Sequence, residues 1–574
     1  MNDLKLQADD LCWRCDPNQF EFETTEDLQP LEGTIGQARA LTAIDFGLGI
    51  KDSGFNLFIL GQPGSGRSST IKKILKAHAS DKPVPDDWCY VNDFENGTGP
   101  DYIRLPAGMG STFKQDVAYL VERLAEEVPK VFEGKEYEKQ KTNLTSEFQE
   151  KKKELFQSLE QEAKQNGFDL QQSASGLVLV PLRGSKPMSQ EAYEALTQQE
   201  KTDLEKKGEA LQDQVNQVLG AARQLEEELR DKVHEMEREL LHYAMDHLFE
   251  GLKKKYENYE RVLEYFKSCK LDILNQIEEF RPSKEPQVSI VGLGGKQEEP
   301  SFDRYQVNLF IDNSALEGAP VVYEANPTYL NVFGRIEHII QMGGAVTNFQ
   351  MIKPGALHRA NGGYLILDCR EVLFNLFTYE ALKRCIRNRE VKIEDMAEQF
   401  RLIATVSLKP EPIPLDCKIV LIGTPLFYSL LYQLDPDFRK YFKVKVDFDQ
   451  MMKNTWENVQ QYALFVGSKC NEEQLLHFEP PAVARIVEYS ARLIDDQKHF
   501  SSSFIDITDL IREASFYAGR DGSDKVRDAH VDLALEARIY RSNKLEERIQ
   551  ELIEEGTLLI DVEGAVAGQV NGLS

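Results

Sequence analysis

Between the apolar run from Phe55 to Leu60 and the helix-like stretch from Thr70 to Ala77, the chain reads Gly61-Gln62-Pro63-Gly64-Ser65-Gly66-Arg67-Ser68-Ser69. Strand, glycine-rich turn and helix in that order form the context of a phosphate-binding loop. Glycines let the backbone turn tightly enough for successive N–H groups to point at phosphate oxygens, and the helix that follows adds its positive N-terminal end. The stretch reads as a nucleotide pocket. One position departs from the pattern G-x-x-x-x-G-K-[ST]: Arg67 stands in place of the lysine. Arginine is longer, planar and always charged, so it can hold phosphate without offering the compact point charge of an ammonium. Holding phosphate and supporting turnover are separate questions.

At 574 residues the chain is too long for one core, and three or four domains are expected. A formal charge of −27 and a pI near 4.9 argue against a nucleic-acid-binding surface, because neutralising phosphates takes a basic face. There is no signal-peptide pattern and no run of about 18 apolar residues, so no membrane span is expected and the reading is cytosolic. Eight scattered cysteines fit reduced thiols. Cys12 and Cys15 form one C-x-x-C with no second pair and no histidines at ligand spacing, so they read as small apolar residues beside Trp13 rather than a zinc site.

Residues 1–30 are polar with anchors at Leu11, Trp13, Phe20 and Phe22, the pattern of an arm that packs onto something. Ile35-Gly36-Gln37 then leads into an amphipathic helix, and after the glycine loop Trp88 to Phe94 reads as the next strand. From about Gln115 the composition changes. Leu204, Leu211, Val215, Val218, Ala222, Leu225 and Leu229 recur by three and four among charges, a coiled-coil seam, with Leu144, Phe148, Leu155 and Leu159 as its antiparallel partner. Such a stripe is first of all helix-to-helix packing. Between the two helices lies the β-like run Leu177 to Leu182, an apolar tip placed to touch a partner.

Pro282 to Pro300 marks the return to α/β patterning, and Tyr305 to Ile311 reads as a strand. Tyr364 to Asp368 is a buried strand ending in an acid able to hold Mg²⁺ through water; the next residue is Cys369, with Glu371 two further on. A second apolar strand, Lys418 to Gly423, ends at Thr424. Arg439 follows in a turn, and Arg512 lies in a helical region that begins at Trp456. For both arginines the plainer alternative is a surface position, Arg512 in a helix ion pair.

Ile35-Gly36-Gln37, the Gly61 to Ser68 loop, His358-Arg359-Ala360-Asn361-Gly362-Gly363 and His530-Val531, in this order, resemble the AAA+ part of Lon-like proteases, closest to the LonB/LonC branch with a helical insertion. The resemblance implies an α/β plus α fold: a P-loop nucleotide-binding domain, a long coiled-coil insertion and a C-terminal helical lid. It implies an N-terminal arm over 1–30, α/β parts over 31–112 and 285–452, the insertion over 113–284, the lid over 453–545, and over 546–574 a linker with the start of a truncated peptidase domain.

The same resemblance implies ATP and Mg²⁺ as cofactors, homohexameric rings and unfolded or misfolded proteins as substrates of a serine endopeptidase family. Ile35, Gly36, Gln37, Gly61, Gly64, Gly66, Arg67, Ser68 and Ser69 would line the nucleotide, Ser68 and Asp368 hold the metal, Thr424 sense the γ-phosphate, and Arg439 and Arg512 report it between subunits. No serine or lysine here takes the peptidase dyad role, so the chain as it stands is expected not to cleave peptides, being either a fragment or the product of a truncated gene. An acid is usual where Cys369 stands, so slow or absent hydrolysis is expected. The competing reading is a nucleotide-independent ring scaffold or holdase. A chromosome-maintenance ATPase is disfavoured by short helices, the lack of a Leu-Ser-Gly-Gly signature and the acidic charge.

Overall fold

Short apolar runs flanked by turns become the strands of one buried sheet, and the rest of the chain is hung from it. The computed structural model of the protein describes all residues except 1–10, 32, 95–96, 98, 174–175, 185, 189–192, 195, 281–301, 342–343, 395–407, 561–562, 566 and 569–574. The Pro282–Pro300 stretch and most of the 546–574 segment's final part, from 569 on, lie outside the described residues.

The chain runs through α1 (Ala38–Gly49), β1 (Leu57–Leu60), α2 (Arg67–Ser80), β2 (Asp87–Val91), β3 (Asp101–Leu105), α3 (Met109–Glu133), α4 (Lys135–Gln165), β4 (Phe168–Ser173), β5 (Gly176–Arg183), α5 (Gln198–Lys255), α6 (Glu260–Asn275) and β6 (Asn308–Ile311). It continues through β7 (Val321–Glu324), β8 (Tyr364–Asp368), α7 (Cys369–Phe374), α8 (Thr378–Asn388), β9 (Lys418–Gly423), α9 (Pro425–Leu434), α10 (Phe438–Tyr441) and β10 (Val444–Asp447). The last helices are α11 (Trp456–Glu473), α12 (Pro480–Arg492), α13 (Phe504–Arg520), α14 (Asp528–Ser542) and α15 (Lys544–Glu554).

The central sheet has the order β10-β1-β9-β8-β7, with every pairing parallel. All four residues of β1 are buried, as a strand covered on both faces requires. Leu57 and Ile59 point to one face, where they join Ala40, Ile44 and Leu48 of α1 and Ile71 and Leu75 of α2. Phe58 and Leu60 point to the other, against Leu365, Leu421, Leu382 and Phe438. Each such side chain, fully buried, contributes about 1.5–3 kcal/mol, so the strand ends are held rigidly for whatever the loops above them carry.

Trp88 to Phe94 does not continue this sheet. Its strand, β2, lies between β3 and β6 in a separate antiparallel sheet. The Tyr305 to Ile311 run likewise divides, with a short 3-10 turn at Asp303–Tyr305 before β6 begins at Asn308. The buried Asp87 carboxylate ties the two ends of the excursion together: one oxygen accepts from Gly110 N at 2.9 Å, the other from Asn313 N at 2.8 Å. The chain therefore leaves the parallel sheet after α2 and rejoins it at β7. Distant strands that pair only with each other carry no local sign of which sheet they join.

Helices α3 and α4 are separated at Gly134, whose backbone is extended, and α5 packs along both. Leu211, Val215 and Ala222 are buried against this partner, as are Phe148 and Leu159 from the other side. The expected bare tip is a β-hairpin, β4 paired with β5. Leu170 and Leu179 pack onto Ala163, Phe168 and Leu211, and Val178 is 43% exposed. The N-terminal arm packs on the lid: Trp13 meets Phe500 at 5.2 Å between ring centroids, and Phe20 meets Trp456 at 5.3 Å.

Candidate functional site

The glycine loop crosses the C-terminal end of β1, where β1 is flanked by β9 and β10. Gly64 and Gly66 have φ of +88° and +75°, conformations that a side chain disfavours, and Gly66 caps α2. Ser65 is folded under the loop, its Oγ donating to Gln62 O at 2.9 Å. Ser68 and Ser69 are exposed on the first turn of α2, beside the unpaired N–H groups of the helix start. The residues thus fit an anionic phosphate chain: a Cβ-free turn, a helix N-terminus and two hydroxyls.

Arg67 does not extend from the loop in the manner of a free cation. Its Nη1 donates to the carbonyls of both Gly61 and Gly423, the last residues before the turns that follow β1 and β9. Burial lowers its pKa, and the nearby Asp368 carboxylate opposes that shift. Asp368 ends β8 in register with Ile422 of β9, two strands from β1, or about 10 Å across the sheet. Its Oδ1 caps α7, accepting from Arg370 N at 2.9 Å and Glu371 N at 3.3 Å. Cys369 is 1% exposed in the sheet-face core, and burial pushes its thiol up to about 12.

A cleft of about 710 Å³ opens between the loop, the segment around Thr34 and Ile35, and the lid helices α11 and α13. Its walls include Ile35, Gly64, Gly66, Arg67, Ser68, Ser69 and Arg512 of the expected residues. The lid touches the loop directly, Phe504 N donating to Gly64 O at 3.1 Å. Arg512 is held on the lid by a forked pair with Glu473, at 2.7 and 2.8 Å, and by Asp509 at 2.8 Å, the helix ion pair that was its plainer alternative.

Six expected residues, Gly36, Gln37, Gly61, Thr424, Arg439 and Asp368, are not among the cleft walls. Gln37 is 2% exposed and its amide is closed on the backbone of Asp449, donating to the carbonyl at 3.0 Å and accepting from the N–H at 2.9 Å. It fixes the chain where the sheet passes into the lid. Its neighbour Gly36 has φ +66°, with Met452 packed where a Cβ would lie. Thr424 caps α9 through its backbone alone. Arg439 stacks on Tyr432, 3.8 Å from the ring centroid, and donates to Tyr432 O at 3.0 and 3.2 Å.

The walls also include residues that sequence reading passed over: Phe465, Lys469 and Thr508 from the lid, and Lys73 from α2. Lys73 had a signal, since it falls three and four positions after Thr70 and Ser69 and so shares their helix face. Thr34 and Thr70 bridge the two sides through their hydroxyls at 3.0 Å. Among the described residues no group of three or more His, Cys, Asp or Glu side chains is placed to hold a metal ion.

A five-stranded parallel sheet with a glycine loop on an inner strand, an acid on the strand two places away and a helical lid over the cleft defines an AAA+ ATPase fold. In sequence the chain is similar to Lon-like proteins. A family model for a LonB-like AAA domain matches residues 317–449, one for an archaeal LonB AAA+ ATPase lid domain matches 477–541, and one for a Lon-like LonC helical domain matches 87–120. The chain is 28% identical over 281 residues to the archaeal Lon protease of Archaeoglobus fulgidus, covering 48% of this chain and 44% of that one. It is 26% identical over 239 residues to a putative Lon protease homolog of Escherichia coli, covering 41% and 38%. The matches thus span less than half the length of these curated relatives. Solved structures of NtrX from Brucella abortus in complex with ATP (14% identity, TM-score 0.26, 41% of this chain and 51% of that one) and of the Holliday junction branch migration motor RuvB from Thermotoga maritima (14%, 0.20, 35% and 54%) are too distant to bear on function.

Proposed function

We propose that this chain is the ATP-binding, substrate-handling module of a Lon-like ATP-dependent protease, working as a homohexamer on unfolded or misfolded proteins, with slow or absent hydrolysis. The amides of Gly64 and Gly66 and the first turn of α2 would hold the phosphates, and Ser68 with Asp368 would hold Mg²⁺. That ion, when bound, neutralises charge on the terminal phosphate oxygens. Ile35 and Phe465 offer an apolar wall for the base, and Arg512 reaches a phosphate only by giving up Glu473.

The observation that carries the reading of weak turnover is the state of the two departing residues. Arg67 is spent on the carbonyls of Gly61 and Gly423, and the position after Asp368 holds a buried thiol rather than a carboxylate able to polarise water. These same two features favour the second reading, a ring-forming holdase that needs no nucleotide. Calorimetric titration of the purified chain with ATP and Mg²⁺, paired with a phosphate-release assay, separates them. Binding with turnover well below about 1 per second supports the proposal. Turnover at that rate or faster defeats the claim of slow hydrolysis, and no heat at millimolar nucleotide favours the holdase.

A further inference from the structure

At the edge of the central sheet opposite the glycine loop, the starts of β8 and β9 and the turn before β1 enclose a second cavity of about 600 Å³. Four cations line it, Lys51, Lys82, Arg389 and Lys418, against two carboxylates, Asp52 and Asp416. In a chain whose net charge is −27, a local excess of positive charge is not background. None of the four forms an ion pair among the described residues.

Lys418 is fixed rather than free. Its Nζ donates to Ile50 O at 2.7 Å and Phe55 O at 3.0 Å, which leaves one N–H. Burial lowers its pKa and Lys82 adds to that, while Asp416 and Asp52 oppose the shift. Lys82 is itself placed over the Tyr364 ring, 4.6 Å from the centroid. Arg389 ends α8 with φ +56°, and its carbonyl accepts from Leu415 N at 2.8 Å, fixing its backbone at the rim. Four cations against two carboxylates leave a net excess of two positive charges on the cavity wall, an arrangement that an anion stabilises.

We propose that this cavity binds a phosphate-bearing small molecule, at a site separate from the glycine-loop cleft. The excess of two positive charges over the two carboxylates of the lining matches a dianionic phosphate group, which the lysines meet as point charges.

Inorganic pyrophosphate is the probe, titrated calorimetrically into the full chain with a non-hydrolysable ATP analogue at saturation. The expected result is a pyrophosphate site that persists under the analogue and weakens by about tenfold or more in a Lys51→Glu/Arg389→Glu variant, with analogue affinity unchanged. Lys82→Gln, a milder change, should weaken pyrophosphate alone and covers the case in which the double variant fails to fold. Absence of pyrophosphate binding at millimolar concentration, or equal affinity in the wild type and these variants, overturns the proposal. Citrate binding as tightly as pyrophosphate overturns the assignment to phosphate.

Discussion

The Arg67 guanidinium hydrogen-bonds the carbonyl of Gly423, 356 positions further along the chain, while the same nitrogen also serves Gly61. The side chain therefore bolts two neighbouring strand ends together and must release them to grip a phosphate. Replacing it with lysine, Arg67→Lys, removes part of that bolt. Net losses for hydrogen bonds to charged groups run at about 1.5–3 kcal/mol, so the thermal midpoint should fall. Nucleotide affinity should rise, because less is given up on binding. Weaker ATP binding in a calorimetric comparison would show that the guanidinium already works on phosphate.

Cys369 invites replacement by the missing acid, and the structure predicts that the replacement fails. The residue is 1% exposed, and its Cβ lies 3.0 Å from where a Cβ on Gly423 would be. Overpacking a filled core costs about 1–3 kcal/mol, and an unpaired buried carboxylate adds to that. Cys369→Glu should lower the unfolding midpoint without raising phosphate release. A stable variant with faster turnover would refute this account.

Gly64 is constrained twice, by φ +88° and by Ile505, whose Cγ2 lies 2.4 Å from the place of an added Cβ. Gly64→Ala should destabilise by more than about 1 kcal/mol. Ile505→Ala in the same chain restores space but not the backbone preference, so it should recover only part of the loss. A double-mutant cycle in denaturant measures that coupling, and strict additivity would mean that the lid does not press on the loop.

Gln37→Ala takes the acceptor from the Asp449 N–H and one of two donors from the Asp449 carbonyl, at a cost of about 1–3 kcal/mol. Because Ser502 also donates to Asp449 O, amide hydrogen exchange should quicken at 449–453 and 499–504 together. Faster exchange confined to α1 would contradict the role of Gln37 as the tie between sheet and lid.

His358 is buried edge-on to Phe310, 4.9 Å between ring centroids, with Nδ1 accepting from Gly355 N and Nε2 lacking a hydrogen-bond partner among the described residues. Burial lowers its pKa from 6.5 to about 3. The unfolded chain therefore binds the proton first, so the stability this group contributes is intact above pH 6.5 and is lost as pH falls towards about 3. At about 1.4 kcal/mol per pH unit the wild type should lose stability more steeply through that window than His358→Asn. Parallel curves from urea unfolding at several pH values would remove His358 from the account.

The parts legible in the sequence were those whose cause is local. Glycines between a strand and a helix declare a tight turn, and Tyr364 to Asp368 declares a buried strand by its unbroken apolar run. The spacing of Leu211, Val215 and Ala222 declares a helix seam. What a side chain touches across hundreds of residues was not legible. Gln37 in an Ile-Gly-Gln box reads as a pocket residue, yet its partner is a backbone 412 positions away. Asp87 gives no sign that it will join Gly110 to Asn313, so which sheet the strand around it enters is not readable from the sequence. Lys73 sits on a readable helix face but follows no motif.

The inner strand β1 has both its neighbours, β9 and β10, far downstream, with Leu60 beside Gly423 and Asp447. At synthesis rates of about 5–20 residues per second, it waits roughly 20–80 s after leaving the ribosome before either partner exists. The excursion rooted at β2 and β6 is translated whole in that interval. The nascent chain must therefore build its appendage before its centre, with Leu57 to Leu60 kept from premature association until the last strands arrive.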